Sequence, residues 1–164
     1  MKKLYLIRHA KSSWENPGLD DFDRPLNKRG KRDAPFMGKI LSDKNILPEI
    51  VMSSPAKRAW KTAKEICKKI NFPIENITKK EEIYEASSNM LLEILQSTNE
   101  KFESVMLFGH NPGLTFLQNF LCKKEIGNIP TCGVVCIELD CLWKDVNNNS
   151  GKIEFFEYPK QCFK

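Results

Sequence analysis

The chain contains only two histidines, His9 and His110, and both stand where phosphate chemistry could be done. His9 follows Arg8 directly after the apolar run Leu4-Tyr5-Leu6-Ile7. His110 lies in Gly109-His110-Asn111-Pro112-Gly113, just past the run Ser104 to Phe108. A third junction of the same kind, Ser53-Ser54-Pro55, ends the run from Glu49 and leads to Arg58. Neutral imidazole is nucleophilic near pH 7, its ordinary pKa being about 6.5. It can attack phosphorus and carry the phosphoryl group covalently. The group in transfer spreads negative charge over its equatorial oxygens, which fixed cations stabilise. Arginine suits that task because its planar fork can bind two phosphate oxygens at once. Two histidines and two arginines at strand ends thus predict a pocket that binds phosphate and offers a nucleophile.

The elements that must position these residues are legible as alternating periodicities. Strands are predicted over Leu4 to Ile7, Glu49 to Ser53, Asn76 to Lys79, Ser104 to Phe108, Gly133 to Leu139 and Lys152 to Tyr158. Helices are predicted over Lys28 to Asp43, Pro55 to Ile70, Asn89 to Ser97 and Pro112 to Cys122. The second carries the stripe Ala56, Ala59, Trp60, Ala63, Ile66 and Cys67. Residues 10 to 27 read as a long loop turning at Asn16-Pro17-Gly18, and Asn147 to Gly151 as the turn of a final hairpin. Ser54 and Asn111 are expected to cap helices whose first residues are Pro55 and Pro112. Such amino ends attract anions, and Arg58, one turn inside its helix, can lean back toward the strand end. The alternation predicts a three-layer α/β/α sandwich around a mostly parallel sheet, with the site at the carboxyl ends of the strands. Arg8 and His9 set one condition. Neighbours on a regular strand face opposite sides, so both reach one pocket only if the strand ends or twists there.

The bulk properties fit a single domain over residues 1–164. Hydrophobic residues make up 41% and charged residues 29%, as in ordinary globular chains. No apolar run is long enough for a membrane helix, and Leu4 to Ile7 is too short for a signal peptide. A cytoplasmic protein without membrane contact is expected. The net charge of +5, from 26 basic and 21 acidic residues, suits a phosphate-bearing substrate. The basic residues are spread out rather than interleaved with aromatics, so no nucleic-acid partner is expected. Six cysteines without a Cys-x-x-Cys pair read as buried thiols. The grouping of Cys132, Cys136 and Cys141 leaves a zinc site as the alternative, but no metal and no cofactor are assigned.

Leu6-Ile7-Arg8-His9-Ala10 resembles the Arg-His-Gly signature of the histidine phosphatase superfamily, the phosphoglycerate-mutase-like family, with Ala10 in place of the usual Gly. That Ala is common in a small branch, the SixA-type protein phosphohistidine phosphatases. Asp23-Arg24-Pro25-Leu26-Asn27-Lys28-Arg29-Gly30, Ser53 to Ala63, and Leu107 to Gly113 resemble the further segments of that branch, in the same order and across nearly the whole chain. The resemblance implies a phosphoglycerate-mutase-like fold without a large lid insertion. It implies that His9 is phosphorylated, and that Arg8, Arg58 and His110 bind the phosphoryl group. Arg24 and Ser12 are implied as substrate contacts. Asn111 is read as a cap only.

Cleavage of a phosphate ester also requires protonation of the departing oxygen. Larger members of the superfamily supply a carboxylic acid from an insertion, and the corresponding stretch here offers Glu81, Glu82 and Glu85, among which the sequence does not choose. Phosphohistidine has a better leaving group and needs less acid catalysis. The short stretch between Ile70 and Asn89 leaves little material for a lid. These features point to phosphohistidine on a partner protein, handled without a metal. The alternatives are a small phosphorylated substrate, cleaved by a phosphomonoesterase or turned over by a mutase of the same fold, and a module that only binds phosphorylated ligands.

Overall fold

The computed structural model describes residues 1–163. Six strands form one sheet: β1 (Lys2–Arg8), β2 (Ile50–Ser53), β3 (Thr78–Lys79), β4 (Ser104–Gly109), β5 (Val134–Leu139) and β6 (Gly151–Glu157). Their order is β3-β2-β4-β1-β5-β6. β1 runs parallel to β4, and β2 parallel to both β3 and β4. β5 is antiparallel to β1 and β6, which makes the final hairpin an extension of the parallel half.

The helices are α1 (Lys28–Asp43), α2 (Lys57–Ile70), α3 (Ser88–Gln96), α4 (Gly113–Leu121) and the short α5 (Pro159–Cys162). They lie on both faces because the central strands are apolar on both faces. Leu4 and Leu6 of β1 and Val105 and Leu107 of β4 pack with Leu91, Leu95, Leu114 and Leu117 of α3 and α4. The alternate residues Tyr5, Ile7, Met106 and Phe108 pack with Ala34, Met37, Ala63 and Ile66 of α1 and α2. This is the expected three-layer sandwich. No helix among the described residues is long and apolar enough to cross a membrane.

Local differences from the sequence reading have physical causes. β3 has only two residues, both exposed, because it lies at the sheet edge and pairs with β2 alone. A 3-10 turn, Ile74–Asn76, takes the preceding residues. Pro55 and Pro112 are not first helical residues: α2 is capped at Ala56 and α4 at Pro112 itself. Ser54 instead accepts from the Ala56 amide at 3.2 Å. The loop after β1 holds a 3-10 turn, Asp21–Asp23, and its two arms pair at Ser12 and Leu26. Asn27 caps α1 by accepting from the Gly30 amide. A Cβ at Gly30 would lie 2.2 Å from the Lys11 carbonyl oxygen, so only glycine lets the loop lie against α1.

Candidate active site

β1 ends at Arg8, and the backbone beyond it is fixed from three sides. The His9 amide donates to the Gly109 carbonyl at 3.0 Å, and the Cys132 amide donates to the His9 carbonyl at 3.1 Å. The Ala10 amide donates to Thr62 Oγ1 at 3.0 Å, and that hydroxyl donates to the Arg58 carbonyl at 2.7 Å. The strand has therefore ended where Arg8 and His9 diverge.

The His9 ring is buried, and its Nδ1 lies 2.7 Å from the Ala10 carbonyl oxygen. A carbonyl only accepts, so Nδ1 carries the proton and Nε2 keeps its lone pair. Arg58 Nε donates toward that lone pair at 3.4 Å. Burial pushes the His9 pKa down to about 4, with the charges of Arg58, Arg8 and Arg24 acting in the same sense and the Ala10 hydrogen bond opposing them. At neutral pH the ring is uncharged, and an imidazole nitrogen with its lone pair can act as a nucleophile.

Arg58 is the second residue of α2, and its buried side chain turns back to the strand end. Its fork is filled by Asp21: Nη1 donates to the Asp21 carbonyl at 2.6 Å and Nη2 to Oδ2 at 2.9 Å. Asp21 also accepts from Arg24 Nε at 3.2 Å and from the Tyr84 hydroxyl at 2.7 Å. Burial raises the Asp21 pKa, but these hydrogen bonds and the two arginine charges outweigh it and hold the carboxyl down to about 2. Arg24 stacks on Trp14, its guanidinium carbon 3.4 Å from the ring centroid. Asp21 thus ties Arg24 to Arg58, the arginine that donates toward His9.

His110 follows β4, and its ring centroid is 5.1 Å from that of His9 and 5.6 Å from that of Tyr84. Its Nε2 lies 2.7 Å from Ser54 Oγ, while its Nδ1 is buried without a partner. Burial and the neighbouring charges of His9, Arg58 and Arg8 push its pKa down to about 3, against the opposing pull of Asp21. Arg8 donates from Nη1 to the Ile129 carbonyl at 3.0 Å, and its Nε is buried and unpaired. Two buried side-chain nitrogens, Arg8 Nε and His110 Nδ1, thereby have no partner among the described residues, and a buried guanidinium N–H left unpaired favours an anionic ligand.

The other sequence candidates separate. Ser12 is buried and joins the two loop arms through the backbone pairing with Leu26. Asn111 donates to the Asn128 side chain and the Ile129 carbonyl, and accepts from Thr115. It braces α4 against the segment that holds Arg8. Glu81 and Glu82 are the exposed residues of the 3-10 turn Glu81–Ile83, whose Ile83 is buried. Glu85, at a left-handed φ of 58°, lines a cleft of about 390 Å³ together with His110, Ser87, Ser88 and Phe116. A Cβ at Gly113 would lie 2.3 Å from the Ala86 carbonyl oxygen, which brings that loop close to α4. The larger cleft, about 590 Å³, lies between α1 and the C-terminal turn and contains none of these residues.

Among the described residues, no group of three or more His, Cys, Asp or Glu side chains is placed to hold a metal ion. Cys132 and Cys136 are buried, and burial pushes both thiols up. The sequence reading did not find Asp21, Tyr84 or Thr62, and it read Ser54 only as a helix cap. Asp21 stands in the acidic run Asp20-Asp21-Phe22-Asp23, where nothing distinguishes it from its neighbours.

The family model of the histidine phosphatase superfamily (branch 1) matches residues 4–113. An uncharacterized chloroplastic protein of Arabidopsis thaliana is 32% identical over 145 residues, covering 84% of this chain and 66% of that protein. A 2,3-bisphosphoglycerate-dependent phosphoglycerate mutase of Bifidobacterium longum is 41% identical over 63 residues, 37% of this chain and 26% of the mutase. This chain thus spans just under two thirds of the first relative and about a quarter of the second. Among solved structures, a protein of Agrobacterium tumefaciens provisionally named phosphohistidine phosphatase SixA superposes with a TM-score of 0.84 at 27% identity, over 96% of this chain and 98% of that one. The protein histidine phosphatase SixA complexed with tungstate gives a TM-score of 0.84 at 23% identity, over 97% and 98% of the two chains, a likeness of fold.

Proposed function

Because the chain belongs to the histidine phosphatase superfamily, we propose that it hydrolyses phosphohistidine on a partner protein through a phospho-His9 intermediate. The observation that carries this reading is the Nδ1 to Ala10 hydrogen bond, which aims the lone pair of His9 Nε2 toward Arg58. Nε2 attacks phosphorus, a P–N bond forms, and the bond from phosphorus to the substrate imidazole breaks. The departing nitrogen takes a proton from solvent. Water then attacks the phosphoryl group on His9, the P–Nε2 bond breaks, its electron pair returns to the ring, and inorganic phosphate leaves. Arg8, Arg24 and Arg58 supply fixed positive charge, and His110 supplies a neutral donor. These cations meet the electrostatic demand of the transfer within the chain, so the reading requires no metal.

The substrate class rests on the segment from 71 to 87. In place of a lid it holds short 3-10 turns and the edge strand β3. A phosphorylated side chain on a folded partner can then reach His9. The likeness to SixA proteins supports the same class. A second reading, hydrolysis of a small phosphomonoester, is favoured by Glu85, whose cleft adjoins His110 and could deliver a proton to an alkoxide.

The test is phosphate release from a phosphohistidine-bearing protein and from a panel of phosphate esters, both with chelator present. Release mainly from the former is expected. Preferential ester turnover that falls in Glu85→Gln would favour the second reading. His9→Ala is expected to abolish turnover with the fold intact, and normal activity in that variant would remove His9 as nucleophile. Binding of phosphorylated protein without turnover would leave only a binding module.

A further inference from the structure

The Ser54 hydroxyl is fully buried and touches two groups whose hydrogen-bonding roles can be worked out. The Ala56 amide, 3.2 Å away, can only donate, so it occupies one Ser54 lone pair. His110 Nε2 lies 2.7 Å away on the other side. If Nε2 carried the ring proton, the serine would accept twice and its own buried O–H would have no acceptor among these contacts. If Nε2 carries the lone pair, the serine O–H donates to it, and Nδ1–H is the one buried group left unpaired. The first arrangement leaves two, the serine O–H and the Nδ1 lone pair, and the second wins because each buried polar group left unpaired costs about 1–3 kcal/mol. It puts the ring proton on Nδ1, the atom that is buried and has no partner in the protein. With Nε2 taken by Ser54, Nδ1 is the only ring nitrogen left to meet a ligand. The charged and titratable groups around the ring are His9, Arg58, Arg8, Asp21 and Tyr84.

We propose that Ser54 is a positioning residue that fixes His110 as its neutral Nδ1–H tautomer, so that His110 serves the phosphoryl group as a hydrogen-bond donor rather than as an acid through Nε2. The phosphoryl role of His110 rests on the function proposed above, whereas the tautomer does not. Both histidines then carry the same tautomer for opposite purposes. His9 Nδ1–H is spent on Ala10 so that Nε2 can attack. His110 Nε2 is engaged by Ser54 so that Nδ1–H can donate.

The experiment is nitrogen-15 NMR of the imidazoles in the labelled protein at pH 7, where two histidines make assignment direct. His110 is expected to be protonated at Nδ1, with that signal shifting on titration with inorganic phosphate. In Ser54→Ala the tautomer should move toward Nε2–H or a mixture. Affinity for inorganic phosphate should fall about tenfold, as for loss of one neutral hydrogen bond. A His110 protonated at Nε2 in the unmodified protein would overturn the proposal without any variant. So would a folded Ser54→Ala protein with unchanged tautomer and unchanged phosphate affinity. The expected tautomer in a protein that turns over no phosphohistidine would instead count against the proposed substrate alone.

Discussion

Replacing Asp21 by Asn removes one negative charge and leaves the side-chain shape, so it tests what that charge does between Arg58 and Arg24. In the resting protein both Nη groups of Arg58 are bound to Asp21, one to the carbonyl and one to the carboxylate. Asn keeps an acceptor oxygen but turns the ion pairs at 2.9 and 3.2 Å into neutral contacts. The Asp21 side chain is 46% exposed, so solvent screens much of the interaction, and the expected loss of stability is about 1 kcal/mol. For a domain of this size that is a fall in Tm of about 2–4 °C. The effect on phosphate has the other sign. A phosphate dianion roughly 6 Å from the carboxylate, at an effective dielectric near 20, meets repulsion of a few kcal/mol per unit charge before screening. After screening, inorganic phosphate should inhibit Asp21→Asn about tenfold more strongly. Turnover should fall about tenfold, because Arg58 no longer holds Nε against His9 and product leaves more slowly. The assay is kcat, KM and the inhibition constant for phosphate at low and high salt. Phosphate inhibition that is unchanged or weaker in a folded Asp21→Asn protein would refute the view that this carboxylate competes with the phosphoryl group.

The His9 pKa of about 4 places the acid limb of kcat/KM far below that of an ordinary imidazole. Activity should stay level from pH 7 to about pH 5 and drop as pH falls through about 4, and a limb near 6.5 would contradict the burial argument. Both histidines are harder to protonate folded than unfolded. Their stabilising contribution is therefore complete above the unfolded pKa of about 6.5 and is lost as pH falls toward the folded values of about 4 and 3. Urea midpoints from pH 7 to 4 should decline, and His9→Ala should flatten part of that decline. Gly30→Ala would set a Cβ 2.2 Å from the Lys11 carbonyl oxygen. It should cost about 2–3 kcal/mol in thermal unfolding and loosen the loop that carries Asp21; a Tm within a degree of the parent protein would contradict this.

The long helices and the strand-to-helix junctions were readable because their signals are local. A 3.6-residue stripe marks α2, and the limits of α1, Lys28–Asp43, agree with the reading. Apolar runs that stop at Arg8, Ser53 and Gly109 mark strand ends, since each of these is the last paired residue of its strand. The edges were less legible. β3 is brief and exposed, so its residues carry little pattern. Pro55 and Pro112 fall just outside their helices, α2 being capped at Ala56 and α4 at Pro112, because a helix start is set by where the chain leaves the sheet and not by the dipeptide alone.

The sequence by itself determined that His9, Arg58 and His110 stand at matching junctions of a mostly parallel α/β sheet, since periodicity and helix-start chemistry are properties of neighbours in the chain. Only the tertiary structure decided how those groups are wired. Asp21 meets Arg58 across 37 residues and Tyr84 across 63, and Ser54 meets His110 across 56. The carboxylate in the Arg58 fork and the hydroxyl against His110 follow from such long-range contacts, whereas the proton on His9 is set by its chain neighbour Ala10. A hydrogen bond depends on tenths of an ångström and on direction, and folding alone brings residues so far apart in the chain into that range.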